Sequence, residues 1–162
     1  SWPDKRRNSL QITKFRAFME GYVSFLEEMA AGEQEKYAAI LSYDPKRMDK
    51  VVSRQQAMNM RLTQLEEQRE KEQEEAGIAG LTFQQIQDRL EGAEKEGFES
   101  LARRFQKAVD EIKYFNERSM TFVQDGMKML GMDKETPKAP YTHSGKAGGE
   151  GLQGSSLFEA KV

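Results

Sequence analysis

Apolar residues recur at alternating spacings of three and four along three long stretches of this chain, a period suited to amphipathic α-helices packed along a seam. In the first stretch, from about Ser9 to Tyr43, they fall at Phe15, Met19, Tyr22, Leu26 and Met29, and resume at Tyr37 and Ile40/Leu41. The second, Pro45 to about Ala76, carries Met48, Val51/Val52, Gln55, Met58, Leu62, Leu65 and Arg69. The third, about Ala93 to Leu130, reads Phe98, Leu101, Phe105, Ala108/Val109, Ile112, Phe115, Ser119 and Phe122. Charged residues are 32% of the chain and apolar ones 37%. That balance supports a narrow buried stripe on long, otherwise wet helices.

Local signals divide these stretches. Asp44-Pro45 is an N-cap followed by a proline at the first helical position, where its missing N–H costs nothing. Gly77 is a C-cap candidate for the second helix. Within Leu81-Thr82-Phe83-Gln84-Gln85-Ile86, Thr82 and Gln85 form a capping box and Leu81 meets Ile86 as a staple. A short third helix is predicted there, ending near Gly92. Gly32 is a position where the first helix should kink or weaken. The run Glu66 to Glu75 holds no apolar residue, so that end of the second helix is expected to project into water or fray.

The predicted fold is all-α: an antiparallel, coiled-coil-like bundle of three long helices in up-down-up order, with a short connecting helix and a flexible C-terminal tail. Residues 1–8 are read as an N-terminal extension, 9–132 as the bundle and 133–162 as a Pro/Gly-rich tail with Pro137, Pro140 and five glycines from Gly145 to Gly154. Its last segment, Leu157–Val162, is a small apolar cluster.

Catalytic chemistry finds few candidates. The single histidine, His143, sits in the tail, and there is no cysteine. A zinc site and a Cys/His nucleophile pair are therefore not expected. No glycine-rich phosphate loop follows a strand, and the carboxylates are interspersed with lysine and arginine on wet faces. No enzyme, cofactor or metal is expected. A formal charge of -2 argues against nucleic acid as a partner. No stretch approaches the roughly 18 apolar residues of a membrane span, so stable membrane insertion is not expected. Lys5-Arg6-Arg7 precedes no apolar signal core, and a cytoplasmic location is expected.

Protein binding is the remaining class, and Met120–Met132 is the segment that points to it. Seven of its thirteen residues are apolar (Met120, Phe122, Val123, Met127, Met129, Leu130 and Met132). A second stripe of Val123, Met127 and Leu130 runs beside Phe122 and Met129. Methionine is flexible and polarizable, which suits a surface that adapts to several apolar partners. The alternative is that this end is core, covered by the first helix or by self-association as a homodimer. Asn116 and Ser119, with Gln55 and Arg69, are polar residues at seam positions, where such groups set register.

Several short matches in order carry a resemblance. They are Asp44-Pro45, then Val51-Val52-Ser53-Arg54-Gln55-Gln56-Ala57-Met58, then Leu62-Thr63-Gln64-Leu65-Glu66-Glu67-Gln68-Arg69, then Gly80 to Ile86, then Tyr114-Phe115-Asn116. Tyr141 follows in the tail. Over residues 10–145 the series resembles the FlgN family of flagellar type III export chaperones. The resemblance implies a cytosolic helical chaperone that binds the C-terminal helices of hook-associated (hook–filament junction) proteins and delivers them to the flagellar export gate. It implies client binding towards the last helix, here Phe115, Asn116, Ser119, Phe122, Val123, Met127, Met129 and Leu130, and a gate-docking role for Tyr141. The rival reading is a structural coiled-coil component of an export or division complex.

Overall fold

The computed structural model describes residues 2–132, with side chains from Gln11 onward. The tail, with Tyr141 and Leu157–Val162, lies outside the described residues. Four helices and no strand occur among the described residues: α1 (Trp2–Ser42), α2 (Pro45–Glu75), α3 (Phe83–Gln87) and α4 (Gly92–Met129). The first helix begins at Trp2 rather than near Ser9, so most of the expected N-terminal extension is helical. Gly32 does not break it either. A Cβ there would come within 3.3 Å of the Met58 Sδ, so the glycine lets α2 approach α1 closely.

Helix ends follow their local chemistry. The Asp44 carboxylate accepts from the Lys46 N–H at 3.0 Å, ahead of Pro45. Gly77, at φ 72°, closes α2. The Ile78 N–H donates to the Gln73 carbonyl and the Gly77 N–H to that of Glu74, a Schellman arrangement. Thr82 and Gln85 form the reciprocal capping box, with bonds of 3.1 and 2.9 Å. We expect Thr82→Ala to lower the stability by about 1 kcal/mol, read from the urea midpoint at constant m-value.

Cross-helix pairs fix the topology. Along α1 and α2 they run in opposite directions, from Lys14 with Glu75 and Tyr22 with Glu66 to Glu35 with Arg47. Along α1 and α4 they advance together as an aromatic ladder of Phe15–Phe98, Tyr22–Phe105, Tyr37–Phe115 and Tyr43–Phe122, with ring centroids 6.2–6.4 Å apart. The order is therefore up-down-up. α1 is the central element, packed extensively against both α4 and α2, and α3 lies against α4.

The continuous apolar core occupies only part of this length. It runs from Phe15 to Ala30 on α1, includes Met58, Leu62 and Leu65 on α2, and runs from Phe98 to Ile112 on α4. Phe83 and Ile86 of α3 close it at one end. Phe83 sits between Phe98 and Phe105, tilted to the first at 5.4 Å and edge-on to the second at 4.8 Å. At the other end the core stops short of the α1–α2 turn, and polar groups replace it.

Candidate functional site

The first residues beyond the core are charged. Glu33 and Lys36, one turn apart on α1, are buried and form an ion pair. The Lys36 ammonium also donates to the Asn116 side-chain oxygen on α4 at 3.1 Å. Gln55 of α2, buried, lies within hydrogen-bonding reach of Glu33 and donates weakly to Asn59 at 3.4 Å. Burial pushes the Glu33 carboxyl above its ordinary range and the Lys36 ammonium below its own, and each partly restores the other. A pair of this kind contributes little net stability, because desolvation offsets the attraction. Its effect is positional: the layer sets where α1, α2 and α4 meet.

A second polar cluster sits deep in the opposite half. The Tyr22 hydroxyl donates to the Glu66 carboxylate, which also accepts from the Arg69 Nε at 2.7 Å. Arg69 donates onward to Gln73, whose amide reaches the Ile78 carbonyl at 3.2 Å. The run Glu66–Glu75 thus stays helical and buries Arg69 and Gln73, contrary to the expectation that it projects or frays. It is held by hydrogen bonds rather than apolar contact, which a search for apolar residues does not see.

Burial, with Glu66 alongside, holds the Tyr22 phenol well above its ordinary value. The unfolded chain gives up this proton near pH 10 while the folded chain keeps it, so stability is complete below about pH 10 and falls as pH rises further. In Tyr22→Phe the urea midpoint should decline less steeply above about pH 10 than in the wild type.

Beyond the charged layer α4 loses its cover. Its buried apolar residues all lie between Phe98 and Ile112, and the only buried residue after them is Ser119. The Ser119 hydroxyl finds no hydrogen-bond partner among the described residues. α1 ends at Ser42, and the ladder sets Tyr43 against Phe122. α4 therefore continues past its neighbours from Val123 to Met129, an overhang of about 10 Å at 1.5 Å per residue. The overhang ends in a Schellman cap: Met132 N–H donates to the Met127 carbonyl at 2.9 Å, and Gly131 has φ 72°.

The expected binding residues separate along this geometry. Ser119 is buried; Phe115, Asn116, Phe122, Val123 and Met127 are half-buried; Met129 and Leu130 are 89% and 76% exposed. The first helix does not cover the end of α4, so the reading of this segment as core beneath that helix fails. Val123, Met127 and Leu130, spaced four and three apart, share one face. One contributor was not legible in the sequence. Tyr43, at φ 55° in the α1–α2 turn, is 78% exposed and holds its ring 6.2 Å from that of Phe122. Leu41, expected on the α1 seam, is instead exposed. A bulky side chain in left-handed backbone is strained, and such strain gathers at functional positions.

No family model, curated protein or solved structure matches the chain.

Among the described residues, no cluster of three His, Asp or Glu side chains could hold a metal ion, and no helix is long and apolar enough to cross a membrane. The arrangement can offer a continuous apolar strip to another helix.

Proposed function

We propose that this chain is a type III export chaperone of the FlgN kind, which holds the amphipathic C-terminal helix of a hook–filament junction protein against the free end of α4. The observation that carries the reading is the overhang, where Val123, Met127, Met129 and Leu130 extend past the α1–α2 turn with Tyr43 beside their base. Exposed contiguous apolar surface of this kind marks an interaction site. A partner helix docks on it through anchors at i, i+3, i+4 and i+7. Each anchor buried contributes about 1.5–3 kcal/mol, so four give roughly 6–12 kcal/mol before association costs are subtracted. Release needs only displacement, and the reading requires no nucleotide.

The test is calorimetric titration of the full chain with synthetic C-terminal helices of hook–filament junction proteins. Saturable binding with a negative heat-capacity change, the mark of apolar burial, is the expected result. No binding to any such helix by the folded protein refutes the reading. A concentration-dependent homo-oligomer that hides Met129 would support a structural coiled coil instead.

A further inference from the structure

The continuous apolar core ends on all three long helices at nearly the same level, with Ala30, Met58 and Ile112 the last members on that side; beyond it the buried apolar residues are Ala39 of α1 and Val51 of α2, with none on α4. The next layer is Glu33, Lys36, Gln55 and Asn116. Beyond it α4 is held to α1 by little: two aromatic pairs with centroids 6.2–6.4 Å apart, and Arg118 stacked 5.4 Å from the Tyr37 ring. No apolar residue of α4 is buried there, and the buried Ser119 hydroxyl lacks a partner among the described residues. Before the layer, α4 is fastened by seven buried apolar residues and by Arg104 bridging Glu20 and Glu27.

From this division we infer that the Glu33–Lys36–Asn116 layer is a latch, at which the C-terminal part of α4 from Phe115 onward separates from α1 while Gly92–Ile112 stay docked.

Opening at this level removes few apolar contacts and returns the buried Lys36 ammonium, now held to Asn116, and an orphaned hydroxyl to water, where their desolvation cost vanishes. Opening within the core would expose Phe98, Leu101 and Phe105 with no such compensation. Local openings follow the boundary of least apolar burial, and here that boundary is the layer. The open form presents the inner stripe of Phe115, Ser119 and Phe122 together with the overhang, a longer strip than the closed form offers. This consequence rests on the chaperone reading; the latch itself does not.

The chain has no cysteine, so paired spin labels can be placed at will. One pair is Lys50→Cys with Thr121→Cys, both exposed and spanning the latched part; the control pair, Glu28→Cys with Lys107→Cys, spans the docked part. Electron-spin distance measurement on the full chain should give two distances for the first pair and one for the control. Replacing the layer by apolar residues, Glu33→Leu with Lys36→Met and Asn116→Leu, should collapse the first pair to its shorter distance. A single narrow distance for the first pair in the otherwise unaltered protein overturns the latch, whether or not the triple variant folds. So does persistence of both distances in a folded triple variant. Adding a client helix should enrich the longer distance. Two distances with no client binding uphold the latch and remove the chaperone reading instead.

Discussion

Phe105→Ala is expected to destabilise the protein by roughly 3–5 kcal/mol, the range for deleting a fully buried phenylalanine. Phe105 is buried where three helices meet, its ring 4.8 Å from Phe83 of α3 and 6.2 Å from Tyr22 of α1. Its removal opens a cavity lined by rings that cannot all collapse inward, because Tyr22 is tied to Glu66 and Phe83 to its capped helix. Domains of this size hold only about 5–15 kcal/mol in total, so the variant should lie close to unfolding at 37 °C. Phe122→Ala gives the contrast. That ring is half-buried beyond the polar layer, and its loss should cost about 1 kcal/mol. Urea midpoints at equal m-value measure both. Equal losses at the two positions would mean that the core does not stop where it is drawn.

Val123→Asp and Met127→Asp should do the reverse, leaving the fold intact while strongly weakening client binding. Both residues lie on the overhang with no core neighbour to disturb, so the change in stability should be about 1 kcal/mol, the cost of aspartate within a helix and near its C-terminal end. Binding loses an apolar anchor and gains a carboxylate that must be desolvated, together at least about 3 kcal/mol, or roughly 100-fold in affinity. Circular dichroism establishes that the variants are folded, and titration with the client helix gives the loss. Unchanged affinity in both variants would move the binding surface off this face.

Much of the architecture was legible in the sequence because the three-four spacing is a direct consequence of helix geometry. Of the α2 seam, Val51, Gln55, Met58, Leu62, Leu65 and Arg69 are buried, while Met48 at its start is half-buried and Val52 is exposed. The caps at Asp44, Gly77 and Thr82 act through short-range bonds that need no tertiary knowledge. What sequence reading passed over is the stretch of α1 between Met29 and Tyr37. The alternation continues there through Glu33 and Lys36 at the same four-three spacing, but a search for apolar residues steps across charged ones. The spacing itself was the available signal. Tyr43 carried none, since its contribution comes from a left-handed backbone at the turn and from the register of α4 against α1, neither of which is local.

The register also explains why Met120–Met132 could be read in two ways. Seven apolar residues in thirteen describe a core end and a docking surface equally well. Only the length of α1 relative to α4 separates them, and that follows from where Tyr43 meets Phe122.

The central claim is that a client helix lies on the free end of α4, and photo-crosslinking from single positions addresses it most directly. A benzophenone side chain placed at Met129 stands on the overhang; one at Gln68, exposed on α2 in the half of the bundle away from the turn, serves as reference. The account predicts that a hook–filament junction helix is captured from Met129 and not from Gln68. Capture from Gln68 alone, or equally from both, would contradict it.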